Sequence, residues 1–325
     1  MPNDPGLAGD TCIFMEASAG DGGVHNSPVW WLSPDIILTG PVSGPDKADP
    51  GQVNPVSVKF HRKGAESNCI FPGSESITVE LWVGNPSIAM TPNNPASAVK
   101  IAVIGSPTPL EGGTGTQIID WVPPIGAPVT DPQSKGHKCL ISRCYPDNLT
   151  PSNNSFFTPD DPHVAQRNIC IVPCNAPGAA RRPGPCGSII TTVNLNSEMT
   201  ESVTLKATFD LNPDKFVRET VLRSLHGFDG FRQLARRFPR SFAFELYESP
   251  DAVINDRTKF SFLRRLFGGP RRYEATIKLD PGQLIRFNFS ADLSGGKFGD
   301  AYIFHLTQVG SDRYEQGGLT LIMVA

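Results

Sequence analysis

Residues 54–64, NPVSVKFHRKG, place Val56, Val58 and Phe60 on one side of an extended chain and Ser57, Lys59 and His61 on the other. This period-2 alternation limits the fold more than any other feature, because only a half-buried strand uses it. It recurs at SITVELWVG, where Ile77, Val79, Leu81 and Val83 share a face. AVKIAVIGS, TQIIDWVPP, HKCLISRCY and RNICIVPC follow, separated by turn clusters such as GPVSGPDKADPG, NPSIAMTPNNP and TPLEGGTGT. With 31 Gly and 31 Pro in 325 residues, turns are frequent and long helices are disfavoured. Short strands with turn punctuation imply an antiparallel sandwich.

After residue 187 the pattern resumes with SIITTVNLN and ESVTLKATFDLN, and it closes with YEATIKLDPG, LIRFNFSAD, AYIFHLTQVG and GLTLIMVA. Between them, Phe216, Val217, Val221, Leu225, Phe231, Leu234 and Phe238 recur at three-to-four spacing, which predicts two short amphipathic helices. Pro213 and Asp214 mark the start of the first. A further helical piece is expected around 257–267, ended by Gly268. The expected architecture is therefore all-β, two tandem antiparallel sandwiches, the second with helical insertions around 213–238 and 257–267. Residues 1–34 are expected to be an N-terminal extension or edge strand, with one domain over 35–187 and another over 188–325.

Three stretches carry a resemblance: SPDI at 33–36, GQVNPVSVKFHRKG, and DWVPP…GHKCLISRC followed by PHVAQRNI. In these the first half resembles a bacterial immunoglobulin-like module of the CARDB group of cell-adhesion-type domains, and the second half looks like a looser immunoglobulin-like domain. The resemblance implies immunoglobulin-like folds, a non-catalytic role in protein contact, adhesion or spacing, and an extracellular or cell-surface location. The opening residues show no basic region followed by an apolar one, so no secretory signal is visible. No apolar run approaches the roughly 20 residues of a membrane-spanning helix.

Charged residues form 19% of the chain and the formal net charge is −3, which excludes a global pull toward nucleic acid or anionic lipid. From Asn196 onward there are 18 Lys+Arg against 16 Asp+Glu, and before it 11 against 16. The second half is thus mildly basic. Its arginines, with Arg232, Arg236, Arg237, Arg264 and Arg265 foremost, form either a solvated face or a partner surface. Trp30 and Trp31 are adjacent, so an extended chain would turn one inward and present the other to a protein or sugar. Trp82 and Trp121 sit in alternating strands and read as core.

Seven cysteines cannot all pair within the chain. Cys139, Cys144, Cys170, Cys174 and Cys186 fall close together in sequence as candidates for disulfides or a thiol cluster. Their C-x4-C and C-x3-C spacings lack the C-x2-C knuckles usual in structural zinc sites. Disulfides are the better reading among Cys144, Cys170, Cys174 and Cys186, and one could close the 174–186 loop; buried thiols remain the other. Cys139 and Cys144, five apart, point to opposite faces of a straight strand. In DDPHVAQRNICIV, His163 beside Asp160 and Asp161 offers a base or metal ligand, but a proline-containing turn whose carboxylates bind backbone amides is the better reading. G-x-S-x-G, H-E-x-x-H and Walker motifs are absent from the sequence. No catalytic residue, cofactor or metal is expected. The expected function is a non-catalytic protein-interaction or assembly protein, with protein partners that include self-association. The alternative is an accessory module binding carbohydrate or a protein substrate.

Overall fold

The computed structural model describes residues 4–156, 160–174, 183–196, 198–246, 255–256 and 272–325. The chain is all-β apart from one α-helix among the described residues, and it divides into two compact units, Met1–Asn85 with Met90–Asn168 and Pro86–Ala89 with Ile169–Ala325.

In the first unit, strand Asn54–Arg62 pairs antiparallel with Thr114–Trp121 along one edge. Its other edge takes Ile36–Gly40 and Ile13–Phe14. A second sheet runs in the order Val99–Pro107, Ser76–Gly84, Cys139–Pro146, and residues 164–168 of strand Val164–Pro173. The alternation in the sequence is the inside of this sandwich. Val56, Val58, Phe60, Ile36 and Leu38 from one sheet meet Ile77, Val79, Leu81, Val83 and Leu140 from the other. Each such side chain contributes about 1.5–3 kcal/mol on burial. The second sheet is also covered on its other face, where Trp82, Ile141, Val164 and Phe156 cluster. That explains why every residue of Cys139–Pro146 is buried, a pattern alternation alone does not produce.

Residues 4–34 are built into this sandwich, not appended to it. Ile13–Phe14 is one of its strands and Cys12 is disulfide-bonded to Cys69. The expected edge strand at VWWL is instead a turn. Pro28 and Pro34 bracket it, Leu32 N donates to Val29 O at 3.1 Å, and Leu32 makes an isolated bridge to Arg167.

In the second unit, Leu284–Asp292 lies between Pro185–Val193 and Ser241–Leu246. The facing sheet orders Asn255–Asp256, Arg272–Leu279, Glu201–Asp210, Asp300–Val309, Glu315–Val324, and residues 169–173. Aromatic rings fill the space between, with Phe289 and Phe304 from opposite sheets 5.1 Å apart, edge to face. Two pairings are parallel: Ile169–Pro173 on Thr320–Val324, and Gln233–Leu234 on Asp300–Ala301. Parallel partners need a long connection between them, and the whole second unit supplies it for the first pair. The units divide at 168/169, ahead of the 187/188 boundary expected from the sequence.

Helix Lys215–Ser224 is capped by Asp214, whose carboxylate accepts from Val217 N at 2.8 Å, and it buries Val217, Thr220, Val221 and Ser224. The second expected helix, over 231–238, does not form: Gln233–Leu234 is a short strand and the residues around it are irregular. Arg232 N donates to Gly299 O at 2.9 Å and Ala235 N to Ala301 O at 2.8 Å, so a neighbouring strand takes the amides a helix would have used. Phe231, Leu234 and Phe238 fit the helical period, but tertiary pairing overrides it. The helix expected around 257–267, Gly268, Arg264 and Arg265 lie outside the described residues.

Candidate functional site

An open cleft of about 700 Å³ lies in the second unit between the helix and the segment that follows it. Arg218 and Leu222, four apart, present one helix face to it, and the buried residues occupy a different face. The other wall is residues 231–236, and Leu211 to Pro213 close one end. Gly299 makes the wall fit. It adopts φ +83°, and a Cβ there would stand 2.6 Å from Arg232 Cγ and from Gly230 O. Arg232 Cζ in turn lies 5.3 Å from the centroid of the Phe298 ring.

The electrostatics of the cleft are one-signed. Among the described residues, no carboxylate lies within ion-pair distance of Arg218, Arg232 or Arg236. Asp214 is occupied as the helix cap, and Asp300 accepts from Gln233 Nε2 at 2.7 Å. The wall holds no histidine, cysteine, serine, carboxylate or lysine. It can bind, but it has no nucleophile and no proton-transfer group.

Of the expected partner-surface residues, Arg232 and Arg236 line the cleft, and Arg237 is exposed beside it. Trp30 and Trp31 do not belong to any surface. Both are buried, at 3% and 0% exposure, with rings 5.6 Å apart and edge to face. The expectation of one outward ring assumed an extended chain, and the turn between two prolines removes that alternation. Arg218 belongs to the second-half arginines expected to form a solvated face or a partner surface, and Leu222 carries no expectation from the sequence. Their four-residue spacing, each one position after a buried valine and so about 100° around the helix from it, is the signal that pairs them.

The cysteines do not converge. Cys174 and Cys186 form a disulfide. Cys139, Cys144 and Cys170 are buried thiols, and Cys139 and Cys144 belong to clusters on opposite faces of their sheet. Burial pushes both of those thiols far above the ordinary range, so neither is a nucleophile or a ready ligand.

The polar residues of DDPHVAQRNICIV are likewise structural. His163 is fully buried, with Nδ1 2.6 Å from Asp161 Oδ1 and Nε2 3.0 Å from Asp10 Oδ2. Burial alone would lower its pKa, but hydrogen bonds to Asp10 and Asp161, together with their charges, hold it up at about 9. Asp161 also accepts from Asp4 N at 3.0 Å, and Asp10 accepts from Cys12 N and Ile13 N at 3.0 and 3.1 Å. The imidazolium thereby fastens the N-terminal loop to the start of strand Val164–Pro173. A second buried set repeats the idea. Arg143 Nη2 meets Glu80 Oε2 at 2.6 Å, and Lys100 Nζ meets Glu80 Oε1 at 2.6 Å. Burial would raise the Glu80 pKa, and Arg143 and Lys100 keep it lowered.

One cluster absent from the sequence reading has metal-ligand chemistry: Glu16, Asp35 and His61, with ligand atoms within 4.8 Å of one another. Lys59 Nζ already stands 3.0 Å from Asp35 Oδ1, and the Asp35 side chain is fully buried. The ammonium supplies the positive charge a cation would bring.

No family model matches the sequence, and no curated protein matches it. Among solved structures, the collagen adhesin CNA from S. aureus is 8% identical, covering 89% of this chain and 93% of that one with a TM-score of 0.21. The apo lectin of Pleurotus ostreatus is 11% identical, covering 99% and 86% with a TM-score of 0.18. The Vibrio cholerae VesB protease is 8% identical, covering 89% and 95% with a TM-score of 0.21. Likenesses this slight, divided among an adhesin, a lectin and a protease, carry no functional argument. The chain is placed by its own pairing and packing, as two successive all-β sandwiches.

Proposed function

We propose that the chain is a non-catalytic protein-interaction module that works within an assembly, with the second-unit cleft as a contact surface. The observation that carries this reading is the composition of the cleft wall, which offers apolar side chains and unpaired arginines and nothing that breaks or makes a bond. Arginine beside exposed aromatic and aliphatic groups is the composition of protein contact surfaces. The likeness of the first half to CARDB-type adhesion modules points the same way, as does the pair of disulfides, which favours an oxidising, extracytoplasmic location. The carbohydrate reading depended on an outward tryptophan, and both tryptophans are buried.

Light scattering of the purified full chain tests the proposal. The expected result is a mass above the 35.1 kDa monomer that grows with protein concentration and falls with added salt. A single monomeric mass at every concentration and ionic strength counts against assembly.

A further inference from the structure

The cleft has more than charge to recommend it. Among the described residues, strand Gln233–Leu234 is paired along one edge, to Asp300–Ala301. Gln233 N and Ala235 N donate to Gly299 O and Ala301 O, at 3.3 and 2.8 Å. Arg232 N also reaches Gly299 O, at 2.9 Å, so alternation starts at Gln233, and Leu234, between two amides that face Asp300–Ala301, turns its N–H to the opposite edge, where no described strand lies. Gln233 and Leu234 both line the cleft. An unpaired edge is a template for another extended segment.

The side chains specify what kind of segment. Residues two apart in an extended chain share a face, so Arg232, Leu234 and Arg236 alternate with Gln233 and Ala235. Ala235 is buried and Gln233 is bonded to Asp300, which leaves the arginines and Leu234 to the visitor. Arg218 faces them from the helix, with Leu222 beside it and Phe231 and Leu211 at the apolar positions. Guanidinium groups with no carboxylate of their own suit carboxylates, which they hold through two parallel hydrogen bonds. The apolar positions between them suit aliphatic side chains. A nucleic acid would call for a basic stripe across the domain, and residues 196–325 carry 18 basic against 16 acidic side chains.

We propose that the cleft takes an extended acidic segment of a partner protein, with carboxylates alternating with aliphatic side chains, added as a strand to the open edge of Gln233–Leu234. This rests on the protein-interaction reading above and names the partner's chemistry.

Fluorescence anisotropy on the full chain tests it, with a short labelled peptide alternating Glu and Leu. The expected result is saturable binding that weakens with salt and is lost when Glu is replaced by Lys. Arg218→Gln combined with Arg236→Gln weakens binding about tenfold. Both side chains are exposed, and an unchanged thermal melt verifies that the variant folds. The same peptide with alternate backbone amides N-methylated binds at least tenfold more weakly, because strand addition uses those groups. Equal binding of a Gln–Leu peptide, wild-type affinity in the double variant, or an N-methylated peptide that binds as well each overturns the proposal. So does tighter binding of an oligonucleotide of equal charge or of anionic vesicles. If the peptide fails while the chain still self-associates by light scattering, only this inference falls. If both fail, the interaction reading falls with it.

Discussion

His163 bridges Asp161 and Asp10, and its proton is part of the structure. Its pKa is raised from 6.5 to about 9, so its stabilisation is complete below pH 6.5 and is lost as pH rises through 9. That contribution is on the order of 3 kcal/mol. His137 has the opposite sign. Burial, and then the Lys47 charge, lower its pKa from 6.5 to about 4, so its contribution is complete above pH 6.5 and is lost as pH falls toward 4. Urea midpoints measured across pH should therefore peak near neutrality and decline on both sides. His163→Asn should lower the midpoint at pH 6 and flatten the alkaline decline. An alkaline limb that persists unchanged in that variant would show that His163 is not its cause. A turn rich in Asp before a strand was legible as a structural tie. The partnership with Asp10 was not, because 153 residues separate the two and no local pattern encodes the contact.

At the scale of elements, local pattern and tertiary context agree on strands and disagree on helices. The helix Lys215–Ser224 has a cap and a buried stripe and forms as read. Residues 231–238 have the stripe without a cap, and the Asp300–Ala301 strand draws them into pairing instead. The disulfides are the covalent counterpart of such long-range contacts. Cys174–Cys186 closes a short loop, whereas Cys12–Cys69 spans a sequence separation of 57 and holds the N-terminal loop to its unit. Loop closure assigns about 3 kcal/mol to the first and about 4 kcal/mol to the second. Cys12→Ser should thus lower the thermal midpoint more than Cys186→Ser. In the wild-type chain, these four cysteines should react with a thiol reagent only after reduction. Mass-spectrometric mapping that finds them alkylated in unreduced, denatured protein would contradict the pairing.

For the whole molecule the decisive fact is where the units divide. Composition points to a boundary at 187/188, after the Pro/Gly-rich segment, but residues 169–173 pair with Thr320–Val324 of the closing strand, and Pro86–Ala89 belongs to the second unit as well. A fragment beginning at 188 would leave that closing strand with an unpaired apolar edge. It should aggregate or show poor amide dispersion by NMR, while the full chain gives a dispersed spectrum. A well-dispersed, monomeric 188–325 fragment would restore the boundary suggested by composition.

The sequence by itself determined that this chain is all-β, which strand faces are apolar, and where the turns between them fall. These follow from alternation and from the backbone limits of Gly and Pro, which act over a few residues. Only the tertiary structure decided that Trp30 and Trp31 turn inward, that His163 meets Asp10, that residues 231–238 form no helix, and that Arg218, Arg232 and Arg236 face one cleft. The tryptophan turn is begun locally by Pro28 and Pro34 and held by Asn168 N, which donates to Trp31 O, and the others depend on groups well separated in the chain, whose interaction energy exists only once the unit has closed.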